Sequence, residues 1–214
     1  MTVEEGPTVE ESIVRLRARG TALFEWRCTP SDLEVMAIGR LYIEGMIDNA
    51  ALRSDLELEQ HANGEIDILL PAGLDAVATP RRRVTARRIP ESDELSDLFR
   101  ILFTTVDARH ESGGMHAAAL VSGGGIAFQA EDVGRHNTVD KVIGMALLTG
   151  LIPAEFGMLV SARVSGEIAR KAVQAGVGWV ASRSIPTTLA VRIARAGALP
   201  IVGRAAGKNA YVYR

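Results

Sequence analysis

The sequence predicts an α/β protein: a C-terminal α/β domain with parallel strands, preceded by a smaller N-terminal α+β part. Three observations carry this. From Gly157 onward, short apolar runs alternate regularly with helical segments, which is the rhythm of strand–helix–strand units. Upstream, period-two runs separated by glycine read as hairpins. The chain has 214 residues, 47% hydrophobic and 23% charged. That is enough for one substantial core, or for a small domain packed on a larger one.

Residues 1–11 are polar and acidic and read as a loose tail. An α+β part covers 12–80. Val14 to Arg19 alternates apolar with basic side chains, Thr21 to Arg27 is a second strand-like run, and Gly20 between them fits a turn. Thr29-Pro30 is placed to open a helix, with Thr29 as N-cap and Pro30 in the first turn. Leu33, Met36, Ala37 and Leu41 give that helix an apolar face, and it is expected to end near Gly45. Short strands follow at Asp55–Gln60 and Ile66–Leu70, with Asn63-Gly64 as the turn.

A connector and helix fill 81–112. Arg81, Arg82, Arg83, Arg87 and Arg88 form a basic run between two prolines, and a helix is expected over Asp93–Phe103. The α/β domain spans 113–214. Ala117–Val121 and Ile126–Ala130 read as a hairpin closed by Ser122 to Gly125. Asn137 can cap a helix whose apolar face carries Val139, Val142, Ile143, Ala146 and Leu147, with Gly150 as its stop. Strands are then expected at Gly157–Ser161, Trp179–Ala181 and Leu199–Val202, and helices at Ser165–Ala175 and Pro186–Ala196.

The bulk chemistry removes several function classes. A net charge of −2 gives no global attraction to nucleic acid. No stretch reaches the roughly 20 apolar residues of a membrane span. The N-terminus, with four glutamates and no early basic cluster, does not resemble a signal peptide, so a cytoplasmic protein is expected. One cysteine, Cys28, permits neither an internal disulfide nor a cysteine-rich zinc site, and no metal site is expected. A zinc nucleobase deaminase needs H-x-E followed by P-C-x-x-C; His116 is followed by Ala117-Ala118, and no cysteine follows.

Two groups of residues remain as candidate chemistry. Three strands end in related loops: Ser161, Arg163 and Ser165; Ser182, Arg183 and Ser184; and Arg204, Ala205, Ala206, Gly207, Lys208 and Asn209. The carboxyl ends of parallel strands share one edge, where ligands bind and where the next helices begin. Helix N-termini and arginine guanidinium groups both favour phosphate. Helix capping alone accounts for the serines, but not for an arginine at each of three strand ends. The second group is Glu131, Asp132, Gly134, Arg135, His136 and Asn137, with Asp140 and Lys141 one turn later. So many charges in one loop must pair to be desolvated, as an internal ion-pair network of Asp132 or Glu131 with Arg135 or as a functional loop. His136, and more weakly His116, are the candidate acid–base groups.

These blocks resemble the FdhD/NarQ family. Gly113-Gly114-Met115-His116-Ala117-Ala118-Ala119-Leu120 is similar to its TGG-x-H-x-AAL stretch, and Glu131 to Asn137 with Asp140-Lys141 to its most distinctive block. Ser161 to Ser165 with Glu167 and Lys171 resembles its SGRxSxE-x-x-x-K stretch, and Ala181 to Ser184 with Pro186-Thr187 its SRSAPT stretch. Thr29-Pro30 and Leu41–Ile47 are similar to an N-terminal helix of the family, so the likeness runs from about residue 13 to the C-terminus.

The resemblance implies a cytidine-deaminase-like C-terminal fold and a homodimer. It implies an accessory role toward a molybdenum or tungsten enzyme such as formate dehydrogenase. Sulfur would come from a cysteine desulfurase and pass to a molybdopterin guanine dinucleotide cofactor, which family members bind, with GDP or GTP as a partial mimic. The strand-end loops and the Glu131–Lys141 block are then the expected cofactor contacts.

The chain departs from the family at two places. The family's C-x-x-C loop falls at Val84 to Glu91, which contains no cysteine, and a persulfide needs a thiol. The C-terminal loop has Gly203-Arg204-Ala205-Ala206-Gly207 where members commonly carry Gly-Phe-x-Arg-Gly. The leading expectation is a cofactor-binding accessory protein without family-type sulfur transfer. The alternatives are a working sulfurtransferase using Cys28 or a partner's thiol, and an enzyme acting on a nucleotide-like ligand through His116 and His136.

Overall fold

Alternating burial along the first two strands builds the N-terminal sheet. In the computed structural model, which describes residues 6–47, 56–71, 84, 87–105, 113–123, 125–207 and 209–214, β1 (Ser12–Ala18) pairs antiparallel with β2 (Thr21–Cys28). Arg19 and Gly20 make the turn, both at positive φ. β3 (Glu57–Gln60) and β4 (Ile66–Leu69) complete a sheet of order β2-β1-β4-β3, with β4 parallel to β1. Val14, Leu16, Trp26, Cys28 and Ile68 point inward, while Arg15 and Arg17 pair with Glu25, Glu65 and Asp67 on the other face. The expected Asp55 and the connector residues Arg81, Arg82, Arg83, Thr85 and Ala86 lie outside the described residues.

The first helix, α1, spans Leu33–Ile43 and buries the predicted face of Leu33, Met36, Ala37 and Leu41. Its start differs from expectation. Asp32, at φ 53, is the N-cap and makes no side-chain cap bond. Thr29 is drawn away instead: its Oγ1 accepts from the Val133 amide at 3.2 Å and donates to Met115 Sδ at 3.6 Å. A hydroxyl that reaches a distant loop is lost to its own helix.

The second sheet has the order β10-β9-β8-β7-β5-β6. Its strands are β5 (His116–Ser122), β6 (Gly125–Asp132), β7 (Gly157–Val160), β8 (Val180–Ser182), β9 (Ile201–Gly203) and β10 (Tyr211–Tyr213). β7, β8 and β9 run parallel, as the strand–helix rhythm predicts; β5, β6 and β10 make the sheet mixed. Helices α3 (Arg135–Leu148), α4 (Gly166–Ala175) and α5 (Thr188–Ala196) share a core with Met158, Val160, Val180 and Ile201. α2 (Ser92–Thr105) covers the opposite face with Leu95, Leu98, Phe99 and Leu102 against Ala117, Ala119 and Leu159.

A close helix crossing joins the two sheets' layers. α1 crosses α3 at Gly39 and Gly144, where a Cβ on Gly39 would stand 1.8 Å from the Asp140 carbonyl oxygen and one on Gly144 1.9 Å from that of Val35. Only hydrogen fits at either position. The larger core is therefore continuous from Val14 and Ile68 of the first sheet through α1 and α3 to the second. No described helix is long and apolar enough to cross a membrane.

A candidate anion-binding edge

Strand register decides which loops meet. Val160 of β7 pairs with Ser182 of β8, and Ala181 with Val202 of β9, so the loops after these three strands leave from one edge. β5 runs antiparallel to β7, with Ala118 opposite Val160, so its first residue, His116, lies at that edge. His116 pairs in turn with Asp132 at the end of β6. All the predicted blocks thus arrive at one side of the sheet, where α3, α4 and α5 also begin.

The serines divide their work. Ser165 is the N-cap of α4, its Oγ accepting from the Ile168 amide at 3.4 Å. The other three cap no helix. Ser161 Oγ accepts from the Ala117 amide at 2.8 Å, tying the end of β7 to the start of β5. Buried Ser182 donates to the Ala162 carbonyl at 2.8 Å and accepts from the Ser184 amide at 3.0 Å. α5 is capped by Thr187. Behind them, the Ala205 amide donates to the Ser182 carbonyl and the Arg204 amide to that of Ser184, so adjacent strand-end loops brace one another. Ala205 is buried, Ala206 half-buried, and Gly207 and Asn209 exposed; Lys208 lies outside the described residues.

Arg135, Arg163, Arg183 and Arg204 stay exposed on this edge, and none forms an ion pair with a carboxylate among the described residues. Two rest on aromatic rings: the Arg183 guanidinium lies 4.8 Å from the Phe103 centroid and that of Arg204 5.6 Å from Tyr211. Such stacking orients a guanidinium while leaving its N–H groups free to donate. The two described arginines of the connector serve elsewhere. Arg87 donates to the Ala154 carbonyl ahead of β7, and Arg88 pairs with Glu94, at the opposite end of the strands.

The Glu131–Lys141 block splits between surface and interior. Asp132, Asn137, Asp140 and Lys141 are buried, while Glu131, Gly134 and His136 are half-buried. Asp132 pairs with Lys141, Oδ2 to Nζ at 2.8 Å, and not with Arg135. Its Oδ1 accepts from the Gly134 amide and from Asn137 Nδ2, both at 2.8 Å. Lys141 also reaches the Glu131 carbonyl at 3.2 Å and Ser31 Oγ at 3.3 Å, and Asn137 donates to the Arg27 carbonyl at 2.9 Å. Asn137 therefore does not cap α3: the N-cap is Gly134, and the asparagine side chain turns back to fix the preceding loop. Gly134 has no room for a side chain, since a Cβ would stand 2.4 Å from Asn137 Nδ2.

A second buried pair lies one turn deeper. Lys171 Nζ contacts both Asp140 oxygens at 2.7 and 2.6 Å and the His136 carbonyl at 3.1 Å. Burial pushes the Asp140 carboxyl up and the Lys171 ammonium down; each partner's charge opposes the shift. His136 Nε2 lies 3.3 Å from Ser165 Oγ. Burial, with Arg135 and Lys171 nearby, lowers its pKa to about 4. At neutral pH it is thus an uncharged imidazole, able to exchange hydrogen bonds but unprotonated and so no ready general acid. His116 is half-buried at the same edge.

Sequence reasoning quoted Lys171 in a family-like stretch but not among the expected cofactor contacts, and missed the aromatic supports Phe103 and Tyr211. Lys171 sits four residues after Glu167, and nothing local marks it as Asp140's partner. Thr29 and Ser31 were also missed, because their contacts with Val133 and Lys141 span 104 and 110 residues.

Comparison with known proteins follows the same lines. The model of the FdhD/NarQ family matches residues 71–214. A sulfur carrier protein FdhD from Saccharolobus solfataricus is 34% identical over 203 residues, covering 86% of this chain and 79% of that protein. One from Anaeromyxobacter sp. is 32% identical over 255 residues, covering 99% and 88%. A crystal structure described as a formate dehydrogenase accessory protein from Desulfotalea psychrophila shares the fold at a TM-score of 0.75, with 21% identity over 96% of this chain and 86% of that one. With the family model covering all the strand-end loops and relatives above 30% identity spanning most of the chain, this protein belongs to the FdhD/NarQ family.

Proposed function

We propose that this protein is an FdhD-type accessory protein for formate dehydrogenase or a related molybdenum or tungsten enzyme, and that it holds a molybdopterin guanine dinucleotide-type cofactor as cargo at the strand-end edge. The observation carrying this is the set of four exposed arginines at one sheet edge with no carboxylate partner among the described residues. Unpaired guanidinium groups beside the N-termini of three helices fit the phosphates of a dinucleotide. Arg163 and Arg183 follow β7 and β8, Arg204 follows β9, and Arg135 opens α3, so the four flank the edge from different elements. Neutral His136 and Ser165 add uncharged hydrogen-bonding groups between them. GDP or GTP supplies the same phosphate and guanine chemistry in part. The cytidine-deaminase-like relation implied by the family concerns the fold, since a chain with one buried cysteine has no cysteine ligands for a deaminase zinc.

The same reading dispenses with family-type sulfur transfer. Val84 to Glu91 has no cysteine, and Cys28 sits inside the first sheet. A cysteine desulfurase thus has no accessible acceptor thiol here, whereas a client enzyme and a second copy of the chain remain compatible partners. Calorimetry with GDP tests the binding reading. Wild type is expected to bind, and Arg163→Ala and Arg183→Ala each to lose roughly 1.5 kcal/mol or more, the value of a charge-assisted hydrogen bond. Failure of wild type to bind either GDP or the cofactor would remove the edge as a cofactor site and leave protein docking as its role.

A further inference from the structure

We propose that the buried Lys171–Asp140 ion pair is a positioning device that sets the spacing between the N-termini of α3 and α4, and so holds Arg135, His136 and Ser165 in place for an anion. The inference rests on the reading of this edge as phosphate-binding. Two rungs join the helices. The outer rung, half-buried at the edge, is His136 Nε2 against Ser165 Oγ at 3.3 Å. The inner rung is Lys171 against both oxygens of Asp140 and the His136 carbonyl. His136 and Asp140 stand four residues apart on α3 and therefore on one face of it. The inner rung thus holds the same residue that forms the outer one.

Cohesion alone does not require this pair. Lys171 is 1% and Asp140 0% exposed, and at such burial the desolvation penalty largely offsets the Coulomb attraction. Apolar side chains of similar volume often hold two helices together as well or better. They lack direction. An ammonium has three N–H donors, and here they face three fixed oxygens, which determines both the depth and the rotation of α4 against α3. Helix N-termini act on anions only over their first turn. Hydrogen bonding tolerates a donor–acceptor range of only about 0.5 Å. A small slip between the two helices would therefore break simultaneous contact from Arg135, His136 and the start of α4.

The test is the double variant Asp140→Leu/Lys171→Met. It removes both charges while filling the volume, and is expected to melt within roughly 4 °C of wild type. GDP affinity should nonetheless fall about tenfold or more, as misplacement of a binding group does. Amide hydrogen exchange over the first turns of α3 and α4 should quicken about tenfold while the rest of the protein keeps its rates, a local change that a loss of global stability would not produce. Unchanged GDP affinity and unchanged exchange would overturn the proposal. If wild type itself fails to bind GDP, the phosphate reading falls and the exchange comparison alone decides the positioning role. If the double variant does not fold, Lys171→Arg decides. It keeps the charge but alters reach and donor geometry, so weakened GDP binding supports the proposal and wild-type binding overturns it.

Discussion

Cys28 shows how one side chain bears on the family's chemistry. It closes β2, opposite Ser12, and is 0% exposed within the larger core. Burial, reinforced by the nearby Asp132 carboxylate, pushes its thiol up to about 12. Sulfane sulfur is accepted by thiolate, and a thiol held so far above neutral pH is neither ionised nor reachable. Native protein is therefore expected to resist a thiol reagent such as DTNB and to take no sulfane sulfur from a cysteine desulfurase, while the urea-unfolded chain reacts with DTNB at once. Prompt labelling of the native protein would return sulfur transfer to consideration. As a lone cysteine in sequence, Cys28 reads as a small, partly buried hydrophobe; in the structure it is fully buried. The sequence marked Asp132 and Asp140 as charges needing partners, but not which lysines would supply them. Side chains 9 and 31 residues apart meet only once strands and helices are in place.

At the scale of elements, what was legible was period and punctuation. The strand–helix rhythm from Gly157, the glycine turns and the apolar face of α1 all leave local traces, and the elements stand where those traces place them to within a few residues. Helix starts were less legible. Thr29 and Asn137 look like caps but are taken by contacts with distant loops, and such competition has no local signature. β10 escaped because Tyr211–Tyr213 is a three-residue edge strand. The α1–α3 crossing was illegible too: nothing local marks Gly39 and Gly144 as the positions where each helix meets the other's backbone. This gives a prediction of definite sign. Gly144→Ala gains about 1 kcal/mol of helix propensity. Its new methyl would stand 1.9 Å from the Val35 carbonyl oxygen, and backbone cannot rotate away as a side chain can. Overpacking costs of this kind reach about 3 kcal/mol. Urea denaturation should thus show Gly144→Ala to be net destabilised, by up to about 2 kcal/mol; a neutral or stabilising effect would mean that the helices do not approach this closely.

At the scale of the whole molecule, the two sheets are expected to unfold as one. Their shared core runs from Val14 and Ile68 through α1 and α3 to Met158 and Ile201, and a polar tie reinforces it. Lys141 on α3 reaches the Thr29 carbonyl and Ser31 Oγ in the segment leaving β2, while Asn137 reaches the Arg27 carbonyl. The chain's two tryptophans report on this separately: Trp26 is buried in the first sheet and Trp179 against the second. Trp26→Phe and Trp179→Phe each leave one probe, and their urea transitions, after correction for each variant's own stability, should coincide, as for one cooperative unit. Lys141→Met sharpens the test. It leaves the Asp132 carboxylate buried without its cation, a loss on the order of 3–5 kcal/mol. It also severs the tie to the Thr29–Ser31 segment. If the layers are one unit, both probes move together to lower urea. If the Trp26 transition alone moves and the Trp179 transition stays, the continuous core does not couple the sheets, and the strand-end edge folds independently of the N-terminal part.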